Sequence, residues 1–132
     1  MPKEIKPGKK FVYSLESVLK VKKIREKKEK EKFAERQQEY YREKMEQERI
    51  EQEKRNQAEE FKKLVKKGNV DFTRVISRRE HLNLLKEELD NQIEKVIEAS
   101  QNLERQREKL LESMKERKII EKDKEHKFEQ YN

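Results

Sequence analysis

Eight consecutive charged residues, Arg25 to Lys32, are the densest chemical feature of the chain. Five cations interrupted by Glu26, Glu29 and Glu31 can pair with one another across helix turns, or with carboxylates and phosphates of a partner. On an α-helix they cover the whole circumference, so the expectation is that no face of the run is hidden between two helices and that all of it meets water or an acidic partner. A solvated coiled-coil surface and a docking site for an acidic partner both stay open. Nucleic acid is served poorly, because glutamates break up the lysines, no aromatic residue stands ready to stack, and no docking motif is present. Other chemistry is sparse. His81 and His126 are 45 residues apart and would lie toward opposite ends of a helical hairpin, so they cannot share a metal, and His81 reads as a surface or seam residue. Gly8-Lys9 lacks the rest of a phosphate loop, and nothing resembles G-x-S-x-G or H-E-x-x-H. No catalytic residue, metal or cofactor is expected, and the chain reads as a non-enzyme.

Composition limits the elements that could position these residues. The 132 residues support at most one ordinary domain, and with 49% charged and 30% hydrophobic residues the chain cannot wrap a multilayered core. Disorder is disfavoured because proline is missing after Pro7 and the charged residues, with Gln and Leu, are good helix formers. The absence of cysteine excludes disulfides and thiolate metal sites. No apolar run reaches the roughly 18 residues of a membrane span, and MPKEIKPGKK does not read as a signal peptide, so a cytoplasmic location is expected. Residues 1 to 32 hold 12 Lys and Arg against 5 Asp and Glu, which is the whole net charge of +7.

Punctuation predicts two long helices. Between Gly8 and the C-terminus the one glycine is Gly68, in the turn-like segment KKGNVDF, where Gly68 or Asn69 can end a helix in the left-handed conformation and Asp71 can cap the next. Val70 and Val75 would form a hydrophobic staple. The expected organisation is a flexible segment 1–10 and a single coiled-coil domain 11–132, with arm one about 14–66 starting at an Ser14 cap, a turn about 67–71, and arm two about 72–131. At 1.5 Å per residue each arm would span roughly 80 to 90 Å. Arm two carries a heptad seam: Leu82, Leu89, Val96, Leu103 and Leu110 alternate with Leu85, Gln92, Ala99, Gln106 and Ser113, flanked by Ile93 and Met114. Arm one is poorer, with Leu15, Val18, Leu19 and Ile24, then Phe33, Tyr40, Tyr41, Met45 and Ile50, then Ala58, Phe61, Leu64 and Val65. Folding back buries both stripes, so the predicted fold class is all-α, two long helices forming an antiparallel coiled-coil hairpin; a parallel dimer would place Gly68, Asn69 and Asp71 in mid-helix. Phe61 and Phe72 flank the turn and read either as caps on the seam or as a binding patch.

The order of features resembles a known family. The opening F-x-Y-x-L-x-x-V-L of Phe11, Tyr13, Leu15, Val18 and Leu19, the charged helix, the glycine turn, H-L-x-x-L at His81, Leu82 and Leu85, and L-L-E-S-M-K-E-R-K at 110–118 are similar to FliJ proteins of the bacterial flagellar type III export apparatus. The resemblance implies a coiled coil like that of the central stalk of rotary ATPases, serving flagellar protein export and thereby motility and chemotaxis. It implies binding of the hexameric export ATPase FliI by Leu15, Leu19, Lys22, Lys23 and Arg25 with Met114, Arg117 and Lys118. It further implies contact with the export gate protein FlhA by Phe61, Leu64, Phe72, His81 and Leu85, and the handling of export chaperones. On this reading the chain is a monomer, cytoplasmic, and peripheral to the inner membrane through its partners. Two alternatives are the related stalk protein of virulence type III secretion and a basic coiled-coil module for nucleic acid or an anionic membrane.

Overall fold

A computed structural model describes residues 12–68 and 71–131 of the chain. Over these residues the protein is all-α: α1, Glu16–Lys66, and α2, Phe72–Tyr131, pack against each other as an antiparallel coiled-coil hairpin. Among the described residues there is no strand.

The start of α1 differs from the Ser14 cap expected from the sequence. The first helical bond runs from the Leu19 N–H to the Leu15 carbonyl at 2.9 Å, which makes Leu15 the capping position. Tyr13 is the reason. Its carbonyl accepts the Glu16 N–H at 3.1 Å and closes a turn ahead of the helix, while its buried ring places the hydroxyl to donate to Asp123. A tertiary contact thus sets where the helix begins.

Local chemistry governs the other junction. Lys63 and Lys66 lie in the last turn of α1, where the helix dipole favours cations. Gly68 follows with φ of 70°, in the left-handed region as its type and place predict. Asp71 caps α2: its carboxylate accepts the Thr73 N–H at 3.0 Å and its carbonyl the Val75 N–H at 3.1 Å. The roles expected of Asn69 and Val70, like that of Phe11 and of the segment 1–10, fall outside the described residues.

Two compact units make up the chain, Met1–Glu35 with Glu104–Asn132, and Arg36–Leu103. In the first, Tyr13, Leu19, Glu26, Gln106 and Ser113 are buried; in the second, Ile50, Leu85, Gln92, Val96 and Ala99 are. The α2 seam therefore follows the heptads of the sequence. The α1 stripe does not follow its apolar residues, since Ile24, Tyr41, Met45 and Val65 all stand out in solvent. Its buried and half-buried positions instead keep a 3–4 spacing that passes through Leu19, Lys22, Glu26, Glu29 and Phe33, and later through Tyr40, Glu43, Gln47 and Ile50. Lys22, Glu26, Glu29 and Glu43 hold seam positions there because each finds a polar partner on α2, whereas Gln47 donates to Glu51 on its own helix.

Two variants test this account by urea unfolding followed by circular dichroism. A Cβ on Gly68 meets nothing within 4 Å, so Gly68→Ala costs only backbone strain and is expected to lower stability by about 1 kcal/mol. Leu85→Ala empties a buried seam position and is expected to cost about 2 kcal/mol, the low end of the range for such truncations because a two-helix seam stays close to water.

Candidate functional site

In the unit of Met1–Glu35 and Glu104–Asn132, a network of ion pairs and hydrogen bonds joins α1 and α2 beside the buried Tyr13 and Leu19. Glu26, only 5% exposed, receives Arg117 through two bonds, Nε to Oε2 at 2.5 Å and an Nη2 bond to Oε1 at 3.2 Å. Arg117 also donates to Glu121 at 2.8 Å, one turn on along α2. Glu116 takes two cations of α1, Lys22 at 3.3 Å and Arg25 at 3.0 Å. Lys23 reaches Glu121 at 3.9 Å, and Lys124 reaches Glu16 at 2.8 Å. The Gln106 amide donates to the Glu29 carbonyl at 3.2 Å and to its carboxylate.

This network corrects the expectation that the run from Arg25 to Lys32 turns every side outward. Glu26 and Glu29 form its inner face, and Lys30 and Lys32 bond back onto these two glutamates at 3.3 and 3.9 Å. Among the described residues Lys27 and Lys28 are exposed and pair with no acid. Spacing alone could have located the inner face: Glu26 stands seven residues after Leu19 and seven before Phe33.

Of the residues expected to face an ATPase, Leu19 is buried at 1% exposure and serves the seam. Arg117 and Lys22 are half-buried in the ion pairs just described, and Met114 is half-buried as well. Leu15, Lys23, Arg25 and Lys118 are exposed, and Met114 and Lys118 border a shallow groove on α2 with Leu111 and Lys115.

The unit Arg36–Leu103 repeats the polar pairing. Gln92 donates to both the carbonyl and the carboxylate of Glu43 at 2.9 Å, and Arg78 donates to Gln57 at 2.9 Å. Counted along each helix, Glu29, Glu43 and Gln57 are 14 residues apart, and so are Gln106, Gln92 and Arg78. Of the residues expected to face an export gate, Leu85 is buried, Phe61 and Leu64 are half-buried, and His81 and Phe72 are exposed, Phe72 at 80%. A charge cluster hidden when residues 33–132 are summed together lies beside them. From Phe61 to Arg79 there are seven Lys and Arg and one acid, Asp71. A window of about 20 residues would have revealed it.

Residues 11–132 match the family model described as Flagellar FliJ protein. No curated protein and no solved structure matches the chain.

Electrostatics gives the pairing a pH signature. The Arg117 hydrogen bond, with help from Lys30, holds the Glu26 carboxyl below its ordinary 4.5, and the Tyr13 hydroxyl lowers Asp123 below 3.8. Lys124 lowers Glu16 in the same way. Burial, followed by Asp123, pushes the Tyr13 hydroxyl up from 10.0 to about 12. The lowered carboxylates stabilise the fold above their ordinary values, and that contribution is lost as pH falls below about 4.5. Tyr13 is neutral when folded, so its contribution holds below pH 10.0 and is lost as pH rises toward about 12. Urea titrations across pH are expected to show both limbs, with Glu26→Gln flattening the acid limb and Tyr13→Phe the alkaline one. Arg117→Met leaves Glu26 in the seam with Lys30 alone and is expected to cost about 1–2 kcal/mol at neutral pH, less than a fully enclosed pair because Lys30 and nearby water remain.

Proposed function

The chain belongs to the FliJ family of flagellar export components, and we propose that within the export apparatus it binds the hexameric ATPase FliI and couples it to the export gate protein FlhA. It does so from the cytoplasm as a monomer, peripheral to the inner membrane through these partners, and it also handles export chaperones. The family match favours the flagellar system over its virulence counterpart.

One observation carries the ATPase contact: in the unit of Met1–Glu35 and Glu104–Asn132 the inward-facing acids Glu26, Glu29, Glu116 and Glu121 are already committed to internal pairs, while cations remain exposed around them. Lys23, Arg25 and Lys118 are offered beside the apolar Leu15 and Met114, and Lys27 and Lys28 add unpaired charge. An acidic ring surface would be attracted to such a collar, and the contact would be salt-sensitive and reversible, as a component that responds to ATP-driven changes needs to be. Leu19, Lys22 and Arg117 act by holding the two arms in place, since their side chains are engaged with α2 or α1. Toward the gate, Phe72 and His81 offer exposed surface, Phe61 and Leu64 contribute partly, and Leu85 supports them from within the seam.

Stimulation of the purified hexameric ATPase tests the assignment. Lys27→Glu with Lys28→Glu disturbs no internal pair, and at low ionic strength it is expected to weaken apparent affinity at least tenfold, about 1.4 kcal/mol. Reversing Lys22, Lys23 and Arg25 should do at least as much, with added loss of stability from the broken Glu116 and Glu121 pairs. Undiminished stimulation by both variants would remove this surface from the ATPase contact.

A further inference from the structure

We infer that the turn end of the hairpin, formed by the last turns of α1 and the first turns of α2, docks on a layer of anionic phospholipid headgroups. This inference is independent of the gate contact proposed above, because it concerns a lipid surface that contains no protein.

Charge is the first argument. The segment from Phe61 to Arg79 carries seven Lys and Arg against Asp71 alone, and the Asp71 carboxylate is already used to cap the Thr73 N–H at 3.0 Å. Lys62, Lys66, Lys67, Arg74 and Arg79 are exposed. Lys63 is held only by a 3.9 Å contact with Glu60, and Arg78 bonds to the uncharged Gln57. The cations come from both helices, three from the end of α1, with Lys67 just beyond it, and three from the start of α2. Such a distribution suits an extended anionic surface, to which basic side chains contribute additively without fixed geometry.

Apolar exposure is the second. Phe72 is 80% exposed and Ile76, one turn later, 53%; Val65 near the end of α1 is 49% exposed. An aromatic ring among lysines and arginines is the residue set that settles at the boundary between headgroups and acyl chains, where the ring enters and the cations stay with phosphate. Among the described residues no helix is long and apolar enough to cross a membrane, so such contact is interfacial. A shallow groove beside Leu64 gathers Lys63, Lys66, Lys67, Arg74 and Arg78 against two acids, Glu60 and Asp71. Neither Phe72 nor Ile76 lines it. An acidic peptide lying in the groove would leave both uncovered, whereas a headgroup layer takes up cations and apolar side chains together.

The chain has no tryptophan, so Phe72→Trp supplies a single emission reporter at the surface in question. With full-length protein and phosphatidylglycerol vesicles a blue shift is expected, absent with phosphatidylcholine vesicles and fading as salt rises. In flotation assays with the same vesicles, Lys67→Gln and Arg74→Gln are each expected to lower partitioning roughly fivefold, and Phe72→Ser further, all with unchanged helicity. No shift with anionic vesicles would overturn the inference. So would a shift with polyglutamate and not with vesicles, which would assign the surface to an acidic polypeptide. Partitioning lost in Lys27→Gln with Lys28→Gln and unaffected by the turn variants would equally overturn it, by moving lipid binding to the basic run.

Discussion

A seam between only two helices cannot be made dry, and every other property of this hairpin follows from how its polar positions are satisfied. Gln106 and Gln92 each donate to a backbone carbonyl and to the carboxylate of the same glutamate, Glu29 and Glu43 respectively. Arg117 and Glu26 close the same kind of contact with full charges. Among the described residues no buried side-chain nitrogen or oxygen is left without a partner. Such layers fix register more firmly than leucines do. A seven-residue slip would move the glutamine amides away from their acceptors, and an unpaired buried amide is penalised by its full desolvation. Polar seam residues of this sort specify alignment at some cost in stability.

The same pairing decides what charge is left to offer. Lys22, Lys23 and Arg25 lean on Glu116 and Glu121, and Lys30 and Lys32 on Glu26 and Glu29, so much of the basic run is neutralised within the hairpin. Exposed ion pairs of this type are individually weak. They orient long side chains without sealing them, and a more acidic surface can take their place. Lys27 and Lys28 are the cations of the run that pair with no acid among the described residues. At the turn the arrangement is different, because the single acid is occupied by the cap and the cations have little internal competition.

Apolar side chains show the complementary effect. Ile24, Met45, Leu111 and Ile119 are more than half exposed although each is a good seam residue by type. The heptad frame excludes them: once Leu19, Glu26 and Phe33 hold the inner face, Ile24 lies on the opposite side of the helix. In a globular core these side chains would find a second layer to enter; two helices provide none.

Much of this was legible in the sequence. The helical class, the turn at Gly68, the Asp71 cap and the α2 heptads from Leu82 to Ser113 were readable because each rests on local rules: left-handed freedom of glycine, capping by a short carboxylate, and a regular apolar repeat. The basic run was legible as composition, and the seven-residue steps from Leu19 through Glu26 to Phe33 mark its inner face, but a charged residue is ordinarily assigned to solvent until its partner is known. The burial of Glu26, the alignment of the first arm and the capping of α1 at Leu15 were decided only by tertiary structure. Each depends on a residue on the other helix, Arg117 for Glu26, Gln106 for Glu29 and Asp123 for Tyr13, about 75 to 110 positions away. Local propensity ranks the conformations of one segment, whereas a polar group becomes a seam residue only when a distant partner removes the penalty of burying it.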